Sequence, residues 1–305
     1  MKINIHDKCH YYMSISISRK QVYEVYCCRA FNTLDKRKDF YWVNEHIDDY
    51  LKEAIGMPFV MNERFPLGYC IKTQQAKICN DRFVPNELNG ISLGTLTRCN
   101  YSCPCCAVRD NGKSELTIEE EISFTEKLLL ALSKYKNINQ IQISNSGEIS
   151  TYSEGYLKRL VNAIINNGNI KFVDVLSNGS NYKSLNQFES LLRDNGIDSE
   201  LHLSFYSLNE NTYERLTGSR SLDKVIECVQ KTKFKHKCLG FILFKENMEE
   251  LDDVIQFAKD NGYSVYVSAN MYDVDMHREI KNVYDKYGNT GYIEGFAKNQ
   301  TRHFL

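Results

Sequence analysis

The sequence predicts an α/β fold built on a parallel sheet. From residue 91 onward, strand-like stretches alternate with helix-like ones, and glycines at 168, 196 and 262 stop three of the helices. That alternation implies right-handed βαβ units, which pair their strands in parallel. At 305 residues, 42% apolar and 25% charged, the chain suits one large α/β domain with a smaller appendage.

Each element has its own local signal. Residues 91–96 form the first strand of the alternating region. Thr117-Ile-Glu-Glu120 is a capping-box start, and Leu128, Leu129, Leu130 and Leu132 extend the helix it opens. A strand follows at 138–144 and a helix at 156–167. The Val/Phe/Ile-rich run 170–176 is the third strand, succeeded by a helix over 184–195. Residues 200–206 are the fourth strand, with helical stretches at 209–216 and 222–233. The fifth strand spans 238–245, its helix 248–261, and the sixth strand 264–269, before a last helix at 275–287. Upstream, 12–18 and 21–27 alternate apolar and polar residues around an Arg-Lys turn, which predicts a hairpin. Residues 43–55 are helix-like, and 71–79 suit a further strand pair. The boundary falls at 84–89, around Pro85 and Gly90, giving a small α+β domain over 1–87 and a core over 88–305.

Composition narrows the function. Lys plus Arg number 38 against 39 for Asp plus Glu, so no basic field is available to bind nucleic acid. No run of about 18 apolar residues is present, so no membrane span is expected. Eleven cysteines without an export signal read as thiols and metal ligands in a reducing cytosol, so a cytoplasmic location is expected.

Those cysteines include the most informative motif. Cys99, Cys103 and Cys106 form a Cys-x3-Cys-x2-Cys triplet directly after the first core strand. Three thiolates so spaced can hold three irons of a cubane cluster and leave the fourth iron open for chemistry. A structural zinc site, with Cys105 as its fourth ligand, is the competing reading. A disulfide knuckle is disfavoured by the compartment and by the poor geometry of adjacent cysteines.

The triplet resembles the cluster loop of the radical SAM superfamily, and the strand ends that follow are similar to that family in order and spacing. Asn145-Ser-Gly-Glu148 looks like its Gly-Gly-Glu segment, with Ser146 in the first glycine position. The resemblance implies that Ser146, Gly147 and Glu148 approach the methionine amino group of S-adenosylmethionine (SAM), with Glu148 as charge partner. It gives Ser177 and Asn178, in Leu176-Ser-Asn-Gly179, the SAM ribose or methionyl group. It gives Ser204, in Leu201-His-Leu-Ser-Phe-Tyr-Ser207, the SAM carboxylate. Glu214-Arg-Leu-Thr-Gly218 is similar to a turn in peptide-modifying members, although Thr217 stands where an arginine is usual. Cys105 replaces the aromatic residue that packs on adenine, its backbone keeping that contact. The spacing favours Cys106 over Cys105 as third ligand.

The resemblance covers about 88–270 and implies the open six-strand partial (β/α)6 TIM-like barrel of the family. It implies a 4Fe-4S cluster and SAM as cofactors, with a flavodoxin- or ferredoxin-type electron donor. It also implies reductive SAM cleavage to a 5′-deoxyadenosyl radical that abstracts substrate hydrogen. The expected substrate is a peptide or protein, recognised with help from the N-terminal domain. A sugar or other small molecule, as for a dehydrogenase or epimerase, is the second enzyme reading, and a zinc-binding module the non-enzyme one. Cys9, Cys27, Cys28, Cys70 and Cys79 are candidates for an auxiliary cluster and His6, Cys9 and His10 for a metal corner. Core packing is the plainer role for the former and solvent exposure for the latter. Cys238 is a candidate hydrogen-atom donor to a substrate radical. Packing is the default for it and for Cys228.

Overall fold

The computed structural model describes residues 12–26, 31–32, 37–56, 90–106, 114–144, 146–269, 283 and 286. The ten strands among these residues form one sheet. The core strands are β5 (Gly90–Gly94), β6 (Gln140–Ile143), β7 (Phe172–Ser177), β8 (Asp198–Phe205), β9 (His236–Leu243) and β10 (Ser264–Ala269). They lie in chain order and pair in parallel throughout. The crossovers carry α3 (Ile118–Leu132), α4 (Glu154–Asn167), α5 (Tyr182–Arg193), α6 (Glu210–Thr217), α7 (Leu222–Lys231) and α8 (Leu251–Asp260). This is the α/β, partial (β/α)6 barrel architecture that the sequence predicts.

The two sheet faces differ in chemistry. Ile91, Leu93, Ile141, Ile143, Val173, Val175, Leu201, Leu203, Phe205, Leu239, Phe241, Val265 and Val267 are almost inaccessible to solvent. They join helix residues such as Leu128, Leu160, Phe188 and Val225 in one continuous core. Alternation along each strand turns Ser92, Gln142, Asp174, Glu200, His202 and Ser204 to the other, inner face.

Helix ends follow the expected chemistry. Thr117 and Glu120 form the reciprocal capping box that starts α3. Gly168 ends α4 in the left-handed conformation.

The described N-terminal elements are β1 (Tyr12–Ser18), β2 (Gln21–Tyr26), β3 (Phe31–Asn32), β4 (Lys38–Asp39), α1 (Phe40–Glu45) and α2 (Ile47–Gly56). The β1–β2 hairpin is antiparallel, as predicted, and β1 also pairs in parallel with β5. The hairpin therefore extends the core sheet. The helix predicted at 43–55 is two helices that meet at His46. There the imidazole stacks on the Trp42 ring at 5.0 Å and its Nδ1 lies 3.0 Å from the Trp42 carbonyl oxygen. A local side-chain contact of this kind competes with continued helix. The strand predicted over 91–96 ends at Gly94, because the Thr97 backbone N–H donates to Glu121 instead of a ladder partner. The strand pair at 71–79, Asn145, His6, His10, Cys9, Cys27, Cys28, Cys70 and Cys79 lie outside the described residues, as does the helix at 275–287 except for 283 and 286, which are helical.

Candidate active site

The cysteine loop leaves the carboxyl end of β5, where parallel sheets gather their ligands. Two buried groups fix its first residues. The Glu121 carboxylate on α3 accepts hydrogen bonds from the Thr97 backbone and hydroxyl and from Tyr152. Arg98 donates its backbone N–H to the Tyr152 oxygen and its guanidinium to the Leu116 carbonyl. A buried carboxylate with this many donors is a stable anchor.

Gly147 packs against the same stretch. A Cβ there would lie 2.4 Å from the Leu96 carbonyl oxygen and 2.7 Å from that of Arg98. The Glu148 N–H donates to the Arg98 carbonyl at 2.6 Å. Only a residue without a side chain lets these two turns touch.

The other side of the loop rests on α6 and the turn after it. Tyr213 donates to the Tyr101 hydroxyl at 3.2 Å, and Tyr101 shares a 2.5 Å hydrogen bond with Ser221. Gly218, in the left-handed conformation, brings its Cα over Ser102. The stretch 213–221 thus serves as a seat for the cysteine loop. Arg220 pairs with Glu214 at 2.8 Å on the surface, and Arg215 donates to Thr212.

Within the loop, Cys99 is exposed, Cys103, Cys105 and Cys106 are half-buried, and all four are free thiols. They are near enough to influence one another. Burial, followed by the charges of Cys105, Cys106 and Cys99, pushes the Cys103 thiol up to about 12. Burial likewise raises Cys99 and Cys105. Such thiols ionise when a metal replaces the proton. Among the described residues no three Cys, His, Asp or Glu side chains form a group that could hold a single metal ion. The chemistry of the donor set, neighbouring free thiols on an anchored loop with one of them open to solvent, fits an iron–sulfur cluster.

Around this loop stand the turns singled out in the sequence. Glu148 is buried and its carboxylate accepts from Ser177 Oγ (2.8 Å), the Asn178 N–H (2.5 Å) and the Ser150 N–H (3.0 Å). Burial raises its pKa, and these donors oppose the rise. Its charge is thus already engaged inside the chain, one acceptor direction remaining on Oε2. The Asn178 amide faces Cys99 and Asn100. Ser146 is buried beside Gly94, whose missing side chain leaves room for the Ser146 and Ser16 hydroxyls.

Ser204 lies on the inner sheet face, one residue before the carboxyl end of β8 and opposite Gly240. Cys238 is buried opposite His202 in the same register, whereas Cys228 is on α7 in the outer core. Ser146, Gly147, Glu148, Ser177 and Asn178 are therefore gathered next to the cysteines, Ser204 is near the same carboxyl strand ends, and Cys238 is further down the inner face, near the start of β9.

Sequence reasoning missed two groups. The first is the pair Glu121 and Tyr152 together with Tyr206, whose hydroxyl burial and then Cys103, Cys105 and Cys106 push well above its ordinary value. The second is a polar chain across the inner face. Ser92 donates to Gln142 at 2.9 Å, Gln142 donates to Asp174 at 2.7 Å, and His202 Nε2 lies 3.7 Å from both Asp174 and Glu200. Burial opposes charge on His202, but Asp174 and Glu200 outweigh it and raise the imidazole to about 9. Polar residues at every second position of β6 and β8, with Asp174 between them on β7, were the available signal.

The model of the Radical SAM superfamily matches residues 94–258, more than half of the chain. A probable GTP 3′,8-cyclase of Sulfurisphaera tokodaii is 28% identical over 198 residues, covering 63% of this chain and 59% of that protein. A probable GTP 3′,8-cyclase of Metallosphaera sedula is 25% identical over 190 residues, covering 60% and 56%. The chain thus spans under two thirds of either relative. The X-ray structure of the FeFe-hydrogenase maturase HydG from Carboxydothermus hydrogenoformans aligns with a TM-score of 0.40 and 15% identity, covering 75% of this chain and 59% of that one. The chain belongs to the radical SAM superfamily, whose enzymes work with a 4Fe-4S cluster and SAM.

Proposed function

We propose that this chain modifies a peptide or protein by hydrogen-atom abstraction, in a reducing cytosol and with a flavodoxin- or ferredoxin-type donor. The observation that carries the chemistry is the three-thiol loop, anchored at the end of β5 between the Gly147 and Asn178 turns. When bound, the cluster and SAM supply one-electron chemistry, reductive cleavage giving a 5′-deoxyadenosyl radical that takes a substrate hydrogen.

The chain's own residues do the rest. Cys99, Cys103 and Cys106 hold the metal, and Cys105, beside them, borders the adenine side. Ser146, Gly147, Glu148, Ser177, Asn178 and Ser204 border the SAM position. Glu148 acts there mainly by tying the turns together, its carboxylate holding the Ser177–Asn178 turn to its own and its backbone N–H holding the Arg98 carbonyl of the cysteine loop. That fixed geometry is what positioning contributes to rate. Cys238, on the inner sheet face, is the candidate to return a hydrogen atom.

Peptide recognition is supported by the similarity at 214–218 and by the hairpin β1–β2 that extends the sheet beside β5. The relatives favour a second reading, a nucleotide such as the GTP of their names. Asp174 and Glu200 on the inner face disfavour it there, because a triphosphate would meet like charge.

Reduced enzyme, SAM and either GTP or peptides encoded beside the gene, in deuterated water, test the two. A peptide that raises 5′-deoxyadenosine yield and is itself altered in mass supports the proposal. Stimulation by GTP alone overturns it.

A further inference from the structure

We propose that the Asn178 carboxamide tunes the reduction potential of the cluster by donating an N–H to the sulfur of Cys99. The proposal rests on Cys99 being a cluster ligand. Asn178 is 9% exposed and directly follows β7. Its backbone N–H is held by the Glu148 carboxylate at 2.5 Å.

The amide's orientation is settled by its neighbours. Its Oδ1 accepts from the Ser180 N–H at 3.0 Å, which turns Nδ2 the opposite way. Nδ2 then lies 2.9 Å from Asn100 Oδ1 and 3.8 Å from Cys99 Sγ. Asn100 in turn donates its own Nδ2 to Ser180 Oγ at 2.9 Å, so its oxygen also has one direction. Asn178, Asn100 and Ser180, the last through both its hydroxyl and its backbone N–H, close a small ring, and a flipped Asn178 would set oxygen against oxygen. The Tyr101 N–H reaches the same sulfur at 3.4 Å, and no side-chain substitution removes that donor.

A donor to a ligating sulfur favours the state with more electron density on it, which is the reduced cluster. Asn178 therefore makes the cluster easier to reduce. It is a positioning residue for charge and takes no part in bond cleavage.

The test is a redox titration of the anaerobically reconstituted full chain, reading the reduced-cluster EPR signal without SAM. Asn178→Leu and Asn178→Asp should both move the midpoint to more negative potential, the aspartate further because it adds charge. Iron content should match the unaltered protein. An unchanged midpoint in both variants overturns the inference. Should they fail to take up iron, the unaltered protein labelled with 15N in asparagine side chains decides. Pulsed EPR of its reduced cluster should show coupling to a side-chain 15N, and absence of that coupling overturns the inference. Cys99→Ala separates the two levels: a full iron complement in that variant would sink the ligand reading itself.

Discussion

At the scale of single residues, the site depends on where side chains are missing as much as on where they are present. Gly147 touches the backbone of Leu96 and Arg98, and no flexible neighbour can yield to a methyl group there. Gly147→Ala should destabilise the fold by about 1–3 kcal/mol and reduce the iron retained after reconstitution. Denaturant unfolding and iron analysis measure the two effects. The thiols make a sharper prediction. Cys99→Ala, Cys103→Ala and Cys106→Ala should each abolish 5′-deoxyadenosine formation, whereas Cys105→Ala should retain it. Equal loss in all four would overturn the ligand assignment. The spacing alone made the triplet legible, since its three members lie within eight residues. The support under it was not legible: Tyr101 and Tyr213 are 112 positions apart, and only the fold brings their hydroxyls together.

At the scale of elements, α3 and β8 carry distinct expectations. The Thr117–Glu120 box satisfies two backbone donors at the start of α3, the helix that also supplies Glu121 to the cysteine loop. Thr117→Ala should cost about 1 kcal/mol of stability, seen as a lower urea midpoint with an unchanged slope. On β8, His202 binds its proton more tightly in the folded chain than in the unfolded one, through Asp174 and Glu200 and against burial. The stabilisation is complete below an unfolded imidazole pKa of about 6.5. It is lost as pH rises through the folded value of about 9. The stability difference between unaltered protein and His202→Gln should therefore shrink across that interval, and a pH-independent difference would contradict it. The strands themselves were readable, because parallel strands buried on the helix side show Val, Ile and Leu at alternate positions. The inner stripe was harder to read. Gln142, Asp174 and His202 become neighbours only through strand register, which no local pattern encodes. The break at His46 was also hidden, since stacking on Trp42 is a conformational choice and not a composition signal.

At the scale of the whole molecule, one sheet organises everything described. Its outer face is apolar and covered by helices, and its inner face is polar and acidic. The carboxyl ends of β5, β6 and β7 bring the three functional turns together. The strand–helix alternation made this architecture legible, whereas the continuation of the sheet into β1 and β2 was not. Pairing of β1 with β5 joins segments more than 70 residues apart, and a hairpin signal says nothing about its outer partner. Among the described residues no helix is long and apolar enough to cross a membrane.

The most direct measurement is anaerobic reconstitution followed by incubation with dithionite and SAM. About four irons per chain should bind through the triplet, and 5′-deoxyadenosine should accumulate in the unaltered protein but not in Cys106→Ala. A fully iron-loaded chain that never releases the cleaved nucleoside would contradict the account.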